Sequence, residues 1–244
     1  MNPEEYERLA AIEQHHWFYQ GKRAIVCGWI NRFLRLQPHH HLLDVGTGTG
    51  LFVEEFQKTC RATGVEASPR ALEIACRRNP QISLIRASVT NLPLRNASID
   101  VSTALDVLEH VPDDHQAFAE MLRVTKKGGL IAITVPAFSK AFSDWDVALG
   151  HVRRYDWKDC RLLIEGMPVL CLEKRYINNI LFYPILLYRK WRKRYPHKGF
   201  GRLEDKLPPP WMNHLFYQLF VAPAMCRWLR VPFGLSILMI LKKT

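Results

Sequence analysis

Four groups of side chains along the 244 residues have types and spacings that could do chemistry. The first is Asp44 followed by Gly46-Thr47-Gly48-Thr49-Gly50, an acid and then three glycines on alternate positions. Glycine tolerates positive φ and carries no Cβ, so a ligand can come against the backbone there. Where such a turn opens into a helix its N–H groups are expected to point at the ligand, which is how a nucleotide-binding turn is built. The second is Glu66, 20 residues after Gly46, an interval that lets a carboxylate accept hydrogen bonds from ribose hydroxyls. The third is His110, in Asp106-Val107-Leu108-Glu109-His110-Val111-Pro112 just past an apolar run. It could take a proton or bind an acceptor, or it could simply cap or pack the next helix. The fourth is the polar stretch 138–155, with Asp144, Trp145, Asp146, His151, Arg153, Arg154 and Tyr155. There His151 could contact an acceptor, and Arg153 and Arg154 could clamp a phosphate or carboxylate. In the plainer alternative both arginines pair with Asp144 or Asp146 at the surface.

Positioning these residues takes a regular framework. Leu42, Leu43 and Val45 suit a strand covered on both faces, and 51–56 has helical apolar spacing. Residues 62–66 read as a second strand ending in Glu66. Ser68 then caps a helix that has Pro69 at its first position and ends at Asn79-Pro80. Strands are predicted at 82–86, 99–105, 130–135, 169–174 and 235–241. Helices are predicted at 114–125, stopping at Lys127-Gly128-Gly129, and from Asp156 to Gly166. Strand and helix alternate throughout this part, which implies a parallel, doubly wound α/β sheet.

The glycine spacing separates the nucleotides. A dinucleotide turn has Gly-x-Gly-x-x-Gly, whereas here it is Gly46-x-Gly48-x-Gly50 directly after Asp44. With Gly64-Val65-Glu66, Ser88-Val89 through Asn91-Leu92-Pro93, Ile99-Asp100-Val101 with 106–111, and Lys127-Gly128-Gly129-Leu130, the chain resembles the class I S-adenosylmethionine-dependent methyltransferases over about 40–140. Residues 99–101 with 106–111 are similar to the fourth-strand motif of the small-molecule, quinone-biosynthesis-like (type 11) branch. An NAD-dependent oxidoreductase fits the glycine spacing poorly.

The resemblance implies a Rossmann-like seven-stranded sheet of order 3-2-1-4-5-7-6 with the last strand antiparallel. It implies S-adenosylmethionine as cofactor, held by Asp44, Gly46, Thr47, Gly48, Gly50, Glu66, Ser88, Val89 and Leu105. Asp44 would hold the cationic amino end, the glycines would pack beneath methionine and ribose, and Glu66 would bind the ribose. Many members carry Asp where this chain has Ser88, so adenine would meet a neutral hydroxyl acceptor. Methyl transfer is an in-line displacement that mainly needs positioning, with His110 and His151 as candidate catalytic residues. Trp17, Asp146, Arg153, Arg154 and Tyr155 are candidates for the acceptor side. No metal is expected.

The chain is read as one domain, 1–244, with a helical arm at 1–36, a cofactor-binding core at 37–175, a helical insertion at 176–230 and the last strand at 231–244. In the arm, a helix over 3–14 precedes the aromatic knot His15-His16-Trp17-Phe18-Tyr19, and a second helix follows Gly21 over 22–36. Trp17 and Phe18 either pack the arm down or form a lid.

Hydrophobic content of 48% and charged content of 23% place the chain among ordinary globular proteins. The acidic N-terminus argues against a signal peptide, and six cysteines without a Cys-x-x-Cys pair read as reduced core thiols of a cytosolic protein. The net charge of +11 is uneven: 16 Lys/Arg against 17 Asp/Glu in 1–150, and 18 against 6 in 151–244. Within the insertion, Pro184 is expected to kink an apolar helix. Arg189-Lys190-Trp191-Arg192-Lys193-Arg194 lies between two apolar, aromatic segments. This suggests a peripheral contact with an anionic membrane, at its cytoplasmic face, and a lipophilic or lipid-linked acceptor. A lid, a dimer surface, and a nucleic-acid surface with stacking aromatics are the alternatives. Neither apolar segment reaches the ~20 residues of a spanning helix. The competing functional class is a non-catalytic nucleotide-binding or interaction module that keeps the fold without turnover.

Overall fold

The computed structural model describes residues 3–142, 144–194 and 207–244. Seven strands form one sheet: β1 (His41–Val45), β2 (Arg61–Glu66), β3 (Leu84–Arg86), β4 (Ile99–Leu105), β5 (Thr125–Pro136), β6 (Val169–Ile177) and β7 (Ser236–Lys243). Their order is β3-β2-β1-β4-β5-β7-β6, as expected. β3, β2, β1, β4 and β5 run parallel, and β7 lies antiparallel to both β5 and β6.

Side chains that alternate along a buried strand must find partners on both faces. In β1, Leu43 joins one core cluster and Leu42 the other. β7 does the same: Ile237, Met239 and Leu241 face one way, and Leu238 and Ile240 the other. The first core is covered by α5 (Asp114–Val124) and α7 (Trp157–Leu163), through Phe118, Met121, Cys160 and Leu163. The second is covered by α2 (Trp17–Phe33), α3 (Leu51–Phe56) and α9 (Pro210–Met225), through Ile25, Trp29, Phe52 and Phe220. Two further helices, α1 (Pro3–Ile12) and α4 (Pro69–Arg78), pack on each other. Ser68 caps α4 by accepting from Ala71 N at 3.3 Å.

Four local expectations change. α2 starts at Trp17 and runs through Gly21, because His16 supplies the cap by accepting from Phe18 N at 3.2 Å. Gly21 is there for closeness: a Cβ would meet Phe220 Cδ1 at 2.5 Å, so the glycine lets α9 pack against α2. Residues 127–129 do not stop a helix but lie inside β5, where a register shift between Ile99 and Val101 of β4 absorbs them. Pro184 falls in the first turn of α8 (Phe182–Arg194), where a missing N–H breaks no helical hydrogen bond. Part of the 138–155 loop is the short helix α6 (Asp144–Leu149).

The second insertion helix is a structural member of the α layer. The carbonyls at the C-terminal end of α9 are collected by three donors: Trp29 Nε1 to Ala224 O at 3.0 Å, Arg175 Nη1 to Ala224 O at 2.6 Å and Arg32 Nη2 to Met225 O at 2.5 Å. Cations suit that end of a helix dipole. Arg32 and Arg175 also stack on the Trp29 ring, at 4.2 and 4.1 Å from its centre. Of the cysteines only Cys60 and Cys160 are buried, and Cys76 and Cys171 are exposed, so the core-thiol expectation holds for two of the six.

Candidate active site

The glycine turn leaves β1 with Gly46, Gly48 and Gly50 at φ of 70°, 58° and 80°, a conformation that disfavours any side chain. A Cβ at Gly46 would meet Val107 at 2.6 Å, so the turn abuts the segment after β4. A Cβ at Gly48 would meet nothing within 4 Å, which leaves open space over the turn for a ligand. The amides do not behave as expected from the sequence. Gly46 N and Thr47 N donate to Val65 O at 2.7 and 3.0 Å, and Gly50 N donates to Thr47 O at 3.0 Å. Gly48 N donates to Glu66 Oε2 at 2.9 Å. These four N–H groups hold the turn together instead of facing an anion. The turn therefore offers shape more than a phosphate cradle, which suits a nucleoside without phosphates.

Two carboxylates flank it. Glu66 ends β2, and its other oxygen accepts from Ser68 N at 2.9 Å. Each oxygen keeps a lone-pair direction for a hydroxyl donor. Asp44, in β1, is 4% exposed and accepts from Thr103 Oγ1 at 2.6 Å. Burial pushes its carboxyl up to about 6, against the pull of the Thr103 and Thr47 hydroxyls. A buried carboxylate in that state is stabilised by an incoming cation. The open space, the ribose-type acceptor and the buried acid fit S-adenosylmethionine. Ser88 lies exposed after β3, bonded to Thr90 Oγ1 at 2.7 Å, with Val89 half-buried beside it. Leu105 is half-buried at the end of β4.

The N-terminal arm closes on the turn. Glu13, buried, accepts from Thr49 Oγ1 and from Arg78 Nη1, the latter at 2.7 Å, while Arg23 donates to Glu13 O at 2.9 Å. Trp17 is 9% exposed, set edge-on against Phe216 and Phe220 at 5.7 and 5.8 Å, so it packs the arm onto α9.

At the end of β4, Asp106 takes φ 55°, its carboxylate held by Thr134 Oγ1 at 2.9 Å and by Lys22 Nζ. Such a left-handed residue is strained and is often found at working sites. Lys22 comes from α2, is 6% exposed, and burial pushes its ammonium down. The turn at 108–110 follows, and brings His110 to His151 with ring centres 4.8 Å apart. Burial and the neighbouring imidazole push His110 down to about 4, so it is neutral at pH 7. His151 Nδ1 lies 2.9 Å from Asp146 Oδ1, and its Nε2 lies 3.9 Å from Glu109 Oε1. Glu109 is fully buried and burial holds its carboxyl well above the usual range. Lys22 and Glu109 have no sequence signal of their own; 106–111 is a motif, but neither spacing nor composition shows that Glu109 is dry.

The anion clamp is not formed. Arg154 is buried and paired with Asp146 at 2.7 Å, and also donates to Ala137 O at 3.0 Å. Arg153 pairs with Asp114 at 2.9 Å and donates to Pro112 O at 2.6 Å. Tyr155 is 1% exposed and donates to Asp114 Oδ2 at 2.7 Å. Each guanidinium already has its carboxylate, so these three side chains orient the loop, and Asp146 orients His151. Arg153, Arg154 and Tyr155 also line a separate cavity of about 390 Å³ with Asp114, His115 and Ser139.

Residues 43–133 match the model of a family described as a methyltransferase domain. A relative from Mycobacterium sp. (strain KMS), an uncharacterized methyltransferase, is 36% identical over 111 residues, 45% of this chain and 44% of that protein. The chain thus spans under half the length of this curated relative. Among solved structures, the chain is similar to one in the complex formed by the Haloferax volcanii methyltransferase activator Trm112 (TM-score 0.62, 15% identity, 98% of this chain and 97% of that chain). It is also similar to Haemonchus contortus phosphoethanolamine N-methyltransferase 2 in complex with S-adenosyl-L-methionine (TM-score 0.62, 17% identity, 91% of this chain and 52% of that one). At these identities the two structures speak for the fold.

Proposed function

We propose that this chain, whose residues 43–133 match a methyltransferase-domain model, is an S-adenosylmethionine-dependent methyltransferase that acts on a small, lipophilic or lipid-linked acceptor entering beside His110 and His151. The observation that carries this reading is the turn itself: left-handed at all three glycines, open above Gly48, and flanked by Asp44 and Glu66. When bound, S-adenosylmethionine supplies an electrophilic methyl on a sulfonium centre. Asp44 would hold its amino end, Glu66 its ribose, and the segment at 88–89 its adenine.

The remaining work of this chain is positioning, since an in-line displacement depends on the line of approach. Val107, just before the 108–110 turn, lies against Gly46 of the glycine turn, and this contact supports an acceptor site near His110. In this reading, neutral His110 and the Asp146-oriented His151 accept a hydrogen bond, or a proton, from an acceptor hydroxyl or amine.

Support for a lipophilic acceptor comes from the insertion. Tyr183, Leu187 and Trp191 on α8, Trp211 and Leu215 on α9, and Trp228 beyond it are exposed, in the part of the chain that carries the positive excess. Exposed aromatics beside basic residues suit a membrane interface. The side chains at 189, 190 and 192–194 lie outside the described residues. Among the described residues no helix is long and apolar enough to cross a membrane.

Incubation of a cell extract with labelled S-adenosylmethionine and the enzyme, followed by separation of lipid, small-molecule and RNA fractions, tests the reading. Label in the lipid or small-molecule fraction supports it. Label confined to RNA overturns the acceptor class, and cofactor binding without any labelled product points to a non-catalytic module.

A further inference from the structure

Glu109 presents an electrostatic problem that the methyl-transfer reading leaves unsolved. Its side chain is 0% exposed and neither carboxylate oxygen has a hydrogen-bond partner. Leaving an ionised carboxylate dry and without a donor costs several kcal/mol, so such a group keeps its proton, is paired or coordinates a metal. The two neighbouring cations are each engaged elsewhere: Lys22 with Asp106, and Arg154 with Asp146 and Ala137 O. The His151 Nε2 to Glu109 Oε1 separation of 3.9 Å is too long for a hydrogen bond.

The surroundings hold two further groups with lone pairs. Glu109, His110 and His151 each offer a ligand atom, all within 4.8 Å of one another. Both imidazoles are oriented by their other nitrogen. His110 Nδ1 lies 3.0 Å from Gly150 O, a group that can only accept, so Nδ1 carries the proton and Nε2 a lone pair. His151 Nδ1 lies 2.9 Å from Asp146 Oδ1, which Arg154 holds in place from 2.7 Å, so its Nε2 is also left with a lone pair, on the side of Glu109. Imidazoles whose far N–H is fixed by a carbonyl or a carboxylate are the usual arrangement behind metal-binding histidines.

We propose that Glu109, His110 and His151 bind a divalent transition-metal ion. Two imidazole nitrogens and one carboxylate oxygen suit zinc, iron(II), manganese or cobalt, and three protein ligands leave open positions. This departs from the sequence, which suggested no metal. The use of the ion rests on the methyltransferase reading, with Val107, two residues before Glu109, lying against Gly46 of the glycine turn. An acceptor hydroxyl bound to the ion becomes more acidic and gives its proton to solvent. Its oxygen then forms the bond to the methyl carbon as the carbon–sulfur bond breaks and sulfur keeps the electron pair. The preferred acceptor is therefore an oxygen nucleophile.

Chelator-treated protein titrated with Co²⁺ reads the site directly, through visible absorption bands of the bound ion and their stoichiometry. One equivalent with such bands is expected. Glu109→Gln and His151→Ala should abolish the bands, and Asp146→Asn, which acts by orienting His151, should weaken binding by about 10- to 100-fold. His110→Asn, at the half-exposed ligand, serves if a buried variant loses its far-ultraviolet circular dichroism. Folded protein that ignores Co²⁺, or that binds it equally well in Glu109→Gln and His151→Ala (an adventitious ion only), overturns the proposal. Calorimetry with S-adenosylmethionine keeps the two ideas apart. Cobalt without cofactor binding would retain the metal site and sink the methyltransferase reading, and cofactor without cobalt would do the reverse.

Discussion

Glu66 accepts from Gly48 N at 2.9 Å, so the residue that ends the second strand also fixes the middle of the glycine turn. Its second oxygen takes Ser68 N, which ties the same carboxylate to the start of α4. One side chain thus joins turn, strand and helix and still presents lone pairs to a ligand.

Glu66→Gln is predicted to weaken S-adenosylmethionine binding by roughly tenfold or more, since hydrogen bonds to a charged acceptor contribute about 1.5–3 kcal/mol. Glutamine has a single oxygen, so either Gly48 N–H or Ser68 N–H would face an NH₂ donor. A lower Tm should accompany the lost affinity. Calorimetric titration with thermal melts checks both, and unchanged affinity would take Glu66 out of the site.

Asp44 predicts a pH dependence. Its folded pKa of about 6 lies above the ordinary 3.8, so the folded protein holds this proton more tightly than the unfolded chain. Stability contributed by the protonated acid is therefore lost as pH rises from about 4 through 6. Cofactor affinity should run the opposite way, because a cationic ligand needs the ionised form. Titrations at pH 5 and pH 7.5 should show tighter binding at the higher value, and Asp44→Asn should flatten the difference.

Trp17 is predicted to matter for stability alone. Removing a large, buried aromatic typically costs about 3–5 kcal/mol. Urea unfolding of Trp17→Ala should show a loss of that order, with acceptor KM unchanged in whatever fraction remains folded. A raised KM at full stability would reinstate a lid.

Arg153 and Arg154 should part company. Arg154 is 4% exposed at its side chain and its partner Asp146 fully buried, so Arg154→Ala removes the guanidinium from a buried pair, a loss of roughly 3–5 kcal/mol. Arg153 is 35% exposed, and screening by water should limit Arg153→Ala to about 1 kcal/mol or less. Parallel denaturation curves measure the contrast, and equal losses would mean that the burial difference is irrelevant.

Much of this molecule was legible before any coordinates. The alternation of strand and helix, the Ser68 cap and the acid at the end of β2 are local signals, set by residues within a few positions of one another, and the structure has each of them. Resemblance supplied what local pattern could not, namely the strand order and the antiparallel β7.

What only the tertiary structure decided depends on contacts between residues far apart in the chain. The glycine turn could be located from its spacing, but whether its N–H groups are free depends on Val65 O and Glu66, which only the neighbouring strand brings close. Gly21 reads as a helix breaker until Phe220 is seen against it. Two arginines next to each other in the sequence are indistinguishable there, and they differ because one is buried on Asp146 while the other lies near the surface on Asp114. Burial is decided by the whole fold, and it turns Glu109 from one motif letter into a fully buried carboxyl with no hydrogen-bond partner at either oxygen.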